Sequence, residues 1–426
     1  MKTVIQNATI IPMASKEAEF ITGDLVLEDE LILQVGGVYA PAQGDRVIDG
    51  TAHIVIPGLI NGHTHLPMTL LRNCADDMDL FTWLNDHIWP REEKHTPETI
   101  LWGSYLGLLE LIQSGVTTFS DMYFMQEQTI AAVLQSGIGA HIGATIMGNE
   151  GETRKRLPML RELHASWQGA QGGRIRIDVA PHAIYTCDAQ TLRIAAELTE
   201  EFDTAMHIHV SETAKEQDDA LGAHGMTPLA YLDSLGVLQV PVYAAHGVFF
   251  TPGDINLCRD KKVSVIHNPS SNLKLGNGCA PIHELQQSGV SVGLGTDGAS
   301  SNNNLNMMEE MHLTSLIHKG WLADPRLLNA YQVLAMATRE GARALFRDDI
   351  GTLEPGKRAD IVMVSTESPH MTPLLNPVAA LVYSAQSSDI SRVFSSGRAV
   401  YESGDFTTLD KEKICAEAES CARALQ

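Results

Sequence analysis

Two histidines stand two residues apart in PGLINGHTH, His63 and His65, just after a short apolar run. Side chains at i and i+2 of a β-strand share a face, so both imidazoles project together, as a metal ion requires. Such a pair alone is weak evidence, because it also occurs among ordinary strand residues. Polar residues recur where later apolar runs end: His182, then His207, His209 and Glu212, then His246, His267 and Asp297. One histidine at a strand end is more often a packing or hydrogen-bonding residue than a ligand; a whole set at equivalent places reverses that balance. Neutral imidazoles with a carboxylate suit Zn²⁺, or Fe²⁺ or Mn²⁺, whereas an all-oxygen set would favour Mg²⁺ or Ca²⁺. His207 and His209 lie on one strand face, and spacing alone does not choose between them.

The elements that must position these residues are eight short runs, each followed by a segment with helical spacing: GLINGH, VTTFSDMY, AHIGATIM, IRIDVAPH, AMHIHV, VYAAHG, VSVIHNP and SVGLGTDG. Alternating β and α units predict an α/β fold, a (β/α)8 TIM-like barrel, whose active groups sit at the C-terminal ends of the strands. Thr96, Pro97 and Gly115 punctuate one intervening helix as N-cap, first helical residue and stop. Both ends of the chain read as strands and turns, with TVIQNATII, FITGDLVLED and LILQVGG early, and Ile361 to Val364 and the hairpin-like SRVFSSGRAVYESG late. The expected division is a composite small β-sandwich domain from residues 1-57 and 355-426, with the barrel, 58-354, inserted between them.

The chain has 426 residues, 44% hydrophobic, with 30 Lys+Arg against 52 Asp+Glu and a net charge of -22, which argues against nucleic acid or an anionic membrane as partner. A small molecule is the expected partner, and a homo-oligomer is compatible with the sequence. The six cysteines are scattered with no C-x-x-C pair, so neither a disulfide framework nor a thiolate zinc site is expected. With no apolar run long enough for a signal peptide core or a membrane span, the expected location is the cytoplasm.

NGHTH, HIHVSET, AAHG, TDGASSNN and GKRADIV together resemble the amidohydrolase superfamily, and DMYF and HNPSSNLKLGNG are similar to its 5-methylthioadenosine/S-adenosylhomocysteine deaminases. That resemblance implies one divalent metal, zinc first, held by His63, His65, His209 and Asp297, with His207 left as a buried core histidine. The family's His-x-x-Glu pattern selects His209 and Glu212, and the strand must bend between them for both to reach one pocket. Superfamily members with two metals use a carboxylated lysine after the fourth strand; no lysine occurs here between Lys155 and Lys215, which implies a single metal.

The implied reaction is hydrolytic deamination of an adenosine derivative. A metal with an open position supplies hydroxide near neutral pH, Asp297 takes the water proton, Glu212 protonates N1 of the adenine, and His246 orients the attacking oxygen. Glu92 matches the family position for the ribose hydroxyls, His182 one near the 5′ substituent, and Arg156 one near the entrance; Trp83 is expected to line the pocket and Ser301 to contact the base. Some members carry an arginine late in the third barrel strand for the homocysteine carboxylate, where Ala144 stands here, so a small 5′ group such as that of 5′-methylthioadenosine is favoured over S-adenosylhomocysteine. The competing expectations are a deaminase of guanine, a pterin, a pyrimidine or an s-triazine on the same site, and a noncatalytic scaffold, which would show gaps among these groups.

Overall fold

The computed structural model describes residues 2–426. Its strands, in chain order, are β1 (Lys2–Ile10), β2 (Ile21–Glu28), β3 (Leu31–Val35), β4 (Arg46–Asp49), β5 (His53–Pro57), β6 (Leu59–Thr64), β7 (Val116–Asp121), β8 (Gly139–Ile146), β9 (Ile175–Pro181), β10 (Met206–Val210), β11 (Val242–His246), β12 (Ser264–His267), β13 (Val292–Leu294), β14 (Ile361–Ser365), β15 (Ile390–Ser395), β16 (Arg398–Glu402) and β17 (Asp405–Phe406).

The two ends of the chain build one mixed sheet in the order β17-β16-β15-β14-β5-β1-β2-β3, with β4 paired to β1. β14 closes the seam between them by running antiparallel to β5, from Ile361 opposite Pro57 to Ser365 opposite His53. Only Gly58 separates β5 from the first barrel strand. Its backbone N–H donates to the Asp360 carbonyl, and a Cβ there would lie 2.0 Å from the Thr117 hydroxyl oxygen. No larger residue fits at this crossing.

The remaining strands, β6 to β13, form an eight-stranded parallel sheet in sequence order. Every residue of β6, β7 and β8 is buried, as expected when helices cover one face and the opposite strands the other. The first and last strands meet through His63, whose carbonyl accepts the Asp297 N–H at 3.0 Å. Asn61 adds two bonds across the same seam: its amide donates to the Thr296 hydroxyl at 2.7 Å, and its carbonyl oxygen accepts the Thr296 N–H at 3.1 Å. The residues that carry His63, His65 and Asp297 are thereby held in fixed register.

The helix Pro97–Gln113 starts with a capping box between Thr96 and Thr99 and ends before Gly115, which takes φ +88°. The chain finishes in a helix, Lys411–Ala424, that leaves the terminal sheet and packs on Pro97–Gln113 through a face of Ile414, Ala418 and Cys421. No helix among the described residues is long and apolar enough to cross a membrane.

Candidate active site

At the C-terminal ends of the barrel strands, four side chains converge. His65 Nδ1 bonds to the Met122 carbonyl at 2.6 Å and His209 Nδ1 to the His182 carbonyl at 2.7 Å. A carbonyl only accepts, so both protons sit on Nδ1 and each ring turns a bare Nε2 inward. Those two Nε2 atoms are 3.3 Å apart, a repulsive approach of lone pairs unless a positive charge lies between them. His63 Nε2 is buried with no hydrogen-bond partner, and Asp297 Oδ1 lies 3.3 Å from it and 3.2 Å from His65 Nε2. Three imidazoles and a carboxylate converging on one point, with His63 Nε2 left without a partner, fit a divalent metal. Burial holds His63 down to about 4, as a neutral donor ring requires. On His65 burial also opposes charge, but the Asp297 carboxylate outweighs it and pushes the group up to about 9, so this point attracts positive charge, which a metal ion would supply in place of a proton.

Three non-glycine residues at this rim adopt left-handed backbone: Ser211 (φ +53°), His246 (φ +74°) and Asp297 (φ +61°). Each lies at or just beyond the end of a barrel strand and turns its neighbourhood towards the donor cluster, at a cost of about 1–3 kcal/mol apiece. The Ser211 conformation is the bend that lets Glu212 share a pocket with His209. Buried Glu216 holds that bend, its carboxylate oxygens accepting the Ser211 N–H at 3.1 Å and the Glu212 N–H at 2.8 Å. Glu212 itself is buried and moved above the ordinary carboxyl range by desolvation, which the neighbouring His246 partly offsets. His246 Nε2 lies 3.8 Å from Glu212 Oε2 and close enough to His63 and His209 to belong to the same donor cluster.

A cavity opens onto these groups. His65, His209, Glu212, His246 and Asp297 form its polar floor, and Leu80, Leu84, Trp89, Phe124, Met147 and Tyr185 are among its apolar walls. Glu92, His182 and Trp83 also line it. Glu92 is raised by burial, against the Tyr123 hydroxyl and the His65 charge. His182 is held down to about 3, first by burial and then by His65, and its Nδ1 pairs with the Thr186 hydroxyl at 2.9 Å. Two expected contacts lie elsewhere. Ser301 is buried and donates to Asp297 Oδ2 at 3.0 Å, so it buttresses a metal-site carboxylate. Arg156 is half-buried on the helix Glu150–Trp167, away from the cavity lining.

The amidohydrolase family model matches residues 54–400. The chain belongs to the amidohydrolase family. The 5-methylthioadenosine/S-adenosylhomocysteine deaminase of Syntrophomonas wolfei subsp. wolfei is 43% identical over 428 residues, covering 100% of this chain and 99% of the relative. The 5′-deoxyadenosine deaminase of Methanothermobacter thermautotrophicus is 43% identical over 406 residues, covering 95% of each. The crystal structure of a zinc-bound adenosine deaminase from Xanthomonas campestris superposes with a TM-score of 0.93 at 32% identity, covering 99% of this chain and 98% of that one.

Several supporting residues of this amidohydrolase were not singled out in its sequence. The stretch HNPSSNLKLGNG, recognisable as a motif, reaches three groups of the site: Ser271 donates to Asp297 Oδ2 at 2.6 Å, Asn272 Oδ1 accepts from His246 Nδ1 at 2.8 Å, and Asn277 Nδ2 donates to Glu212 Oε1 at 3.3 Å. His207, read as a core histidine, is fully buried but also bonds His63 Nδ1 at 2.8 Å. Its i+2 spacing to His209 was the available signal.

Proposed function

We propose that this amidohydrolase hydrolyses the 6-amino group of a 5′-substituted adenosine, giving the inosine analogue and ammonia with one zinc ion as cofactor. The observation that carries the reading is a single cavity whose floor combines a metal-fitting donor set with a buried carboxyl beside it, Glu212, that desolvation raises above its ordinary range. The names of the full-length relatives support it.

In this reading His63, His65, His209 and Asp297 hold the metal, which lowers the pKa of water to about 7 and so supplies the nucleophile at neutral pH. Asp297 takes one water proton as oxygen adds to C6, and Glu212 gives its proton to N1, relieving the charge that builds on the ring. His246, fixed through Asn272, orients the attacking oxygen. As the carbonyl forms, the proton on Asp297 goes to the departing amine, and the remaining hydroxyl proton restores Glu212. Glu92 accepts the ribose hydroxyls, His182 faces the 5′ side and Trp83 closes the apolar wall.

The walls also bear on the 5′ group. Among the described residues lining the cavity there is no lysine or arginine, and Ala144 is fully buried in β8. A desolvated homocysteine carboxylate would lack a cation here, whereas a methylthio group would gain roughly 25 cal/mol per Å² buried. Ammonia release from 5′-methylthioadenosine, 5′-deoxyadenosine, S-adenosylhomocysteine, adenosine and guanine, with a chelated control, tests the reading. The expected result is metal-dependent turnover of the adenosines, with higher kcat/KM for the small apolar 5′ groups. Turnover of guanine alone would overturn the substrate assignment, and a clear preference for S-adenosylhomocysteine would overturn the 5′ specificity.

A further inference from the structure

Behind His63, a continuous line of polar side chains runs through the barrel interior, one from each of the strands β6 to β11. His63 Nδ1 lies 2.8 Å from His207 Nε2, His207 Nδ1 3.3 Å from Ser120 Oγ, and Ser120 Oγ 2.9 Å from the Tyr243 hydroxyl. Tyr243 donates to Asp178 Oδ2 at 2.8 Å, and His141 Nδ1 meets the same oxygen at 2.7 Å. All six are at most 2% exposed. A barrel interior ordinarily fills with branched apolar side chains, so a polar line of this length is a departure with a cost unless every member is satisfied.

The line has a direction that its far end dictates. An ionised Asp178 can only accept, so the Tyr243 O–H must point at it and the Tyr243 oxygen must accept from Ser120. With its proton used, Ser120 accepts from His207 Nδ1–H. A neutral His207 then has only a bare Nε2, which must accept from His63 Nδ1–H. His63 is left with its lone pair on Nε2, the atom that faces Asp297 Oδ1 at 3.3 Å and has no hydrogen-bond partner. Burial raises the Asp178 carboxyl, but His141 and the bonds from Thr204 and Tyr243 bring it below the ordinary range.

We infer that Ser120, Tyr243 and Asp178 are positioning residues that act through His207 to fix the tautomer and orientation of His63, and so tune the metal affinity of the site. Histidine ligands commonly donate their second nitrogen to a carboxylate; here the carboxylate stands several bonds away, relayed across the barrel. None of the three touches the substrate cavity. The inference rests on the metal site proposed above.

The test is a zinc titration of the metal-stripped, full-length protein against a chromophoric chelator, with its melting temperature measured before zinc is added. Tyr243→Phe removes one hydroxyl and keeps the ring stacked on His207, at a centroid distance of 4.5 Å. It is expected to weaken zinc binding about tenfold and to shift the visible absorption of the cobalt-substituted protein. Ser120→Ala should do the same, and the double variant should lose no more than the worse single one, because a series connection breaks only once. Wild-type zinc affinity in both single variants, even with a lowered melting temperature, would reduce the line to a structural role and overturn the inference. If His63→Ala binds zinc as the wild type does, the metal site itself fails and the inference with it.

Discussion

Glu212 and Asp297 are two carboxyl groups on one cavity floor that the protein drives in opposite directions. Desolvation raises Glu212, whereas Asp297, although burial opposes its charge, is held well below the ordinary range by His63 and His65. A general acid must retain its proton and a metal-ligating base must lose it, so the divergence matches the two roles proposed for them. Glu212→Gln is therefore expected to lower kcat by about 10² or more while leaving one zinc per chain by elemental analysis. Near-normal turnover in that variant would remove Glu212 from the chemistry. Asp297→Asn should instead lose metal and activity together. Both residues were legible in the sequence as carboxylates at strand ends beside histidines, and the family resemblance, through HIHVSET and TDGASSNN, supplied their roles. Glu216 was not, because nothing in AKEQDD distinguishes a buried acid from the solvated ones around it.

At the scale of elements, helices and loops hold the strand ends in shape. Glu216, on the helix Ala214–His224, supplies the acceptors for the two backbone N–H groups at the Ser211 bend. Glu216→Leu would orphan both, at about 1–3 kcal/mol each, and is expected to lower the melting temperature and kcat while zinc affinity stays within a few-fold of wild type. A loss of zinc binding equal to the loss of activity would contradict this. Glu310, on the helix Met307–Trp321, ties two site loops by accepting from the Ser270 N–H and the Asn302 amide. Burial pushes it up to about 7 from 4.5. Between those values the folded chain binds the extra proton, so this residue's contribution is full below pH ~4.5 and is lost as pH rises through ~7, at most about 3 kcal/mol. Glu310→Gln cannot ionise, so its melting temperature should gain on the wild type between pH 5 and pH 8; a constant difference would sink this assignment. The eight barrel strands were legible because parallel strands buried on both faces read as apolar runs. The last helix was not read: its buried residues Ile414, Ala418 and Cys421 do follow helical spacing, but two of the three are small and give a faint apolar signal after an obvious hairpin.

At the scale of the molecule, the proposed metal links distant parts of one barrel. His63 comes from β6 and His65 from just past its end, His209 from β10, and Asp297 from the turn after β13, where β6 and β13 meet. A cation bound there joins the first, fifth and last strands at the seam that closes the barrel, and binding to the folded form alone stabilises it by about 4 kcal/mol at a thousandfold excess over Kd. The terminal sheet contributes no ligand and should feel none of this directly. Chelation is therefore expected to lower the melting temperature and to speed amide hydrogen exchange at the C-terminal ends of β6, β10 and β13, leaving β1 and β2 at their original rates. Asp297→Asn should show the chelated pattern even with zinc present, because one carboxylate supplies the negative charge that three neutral imidazoles lack. Uniform loss of protection across both sheets would mean that the chain unfolds as one unit on metal removal; no change at all would mean that the barrel closes without the metal, through the Asn61–Thr296 bonds and the Asp297 N–H to His63 carbonyl bond.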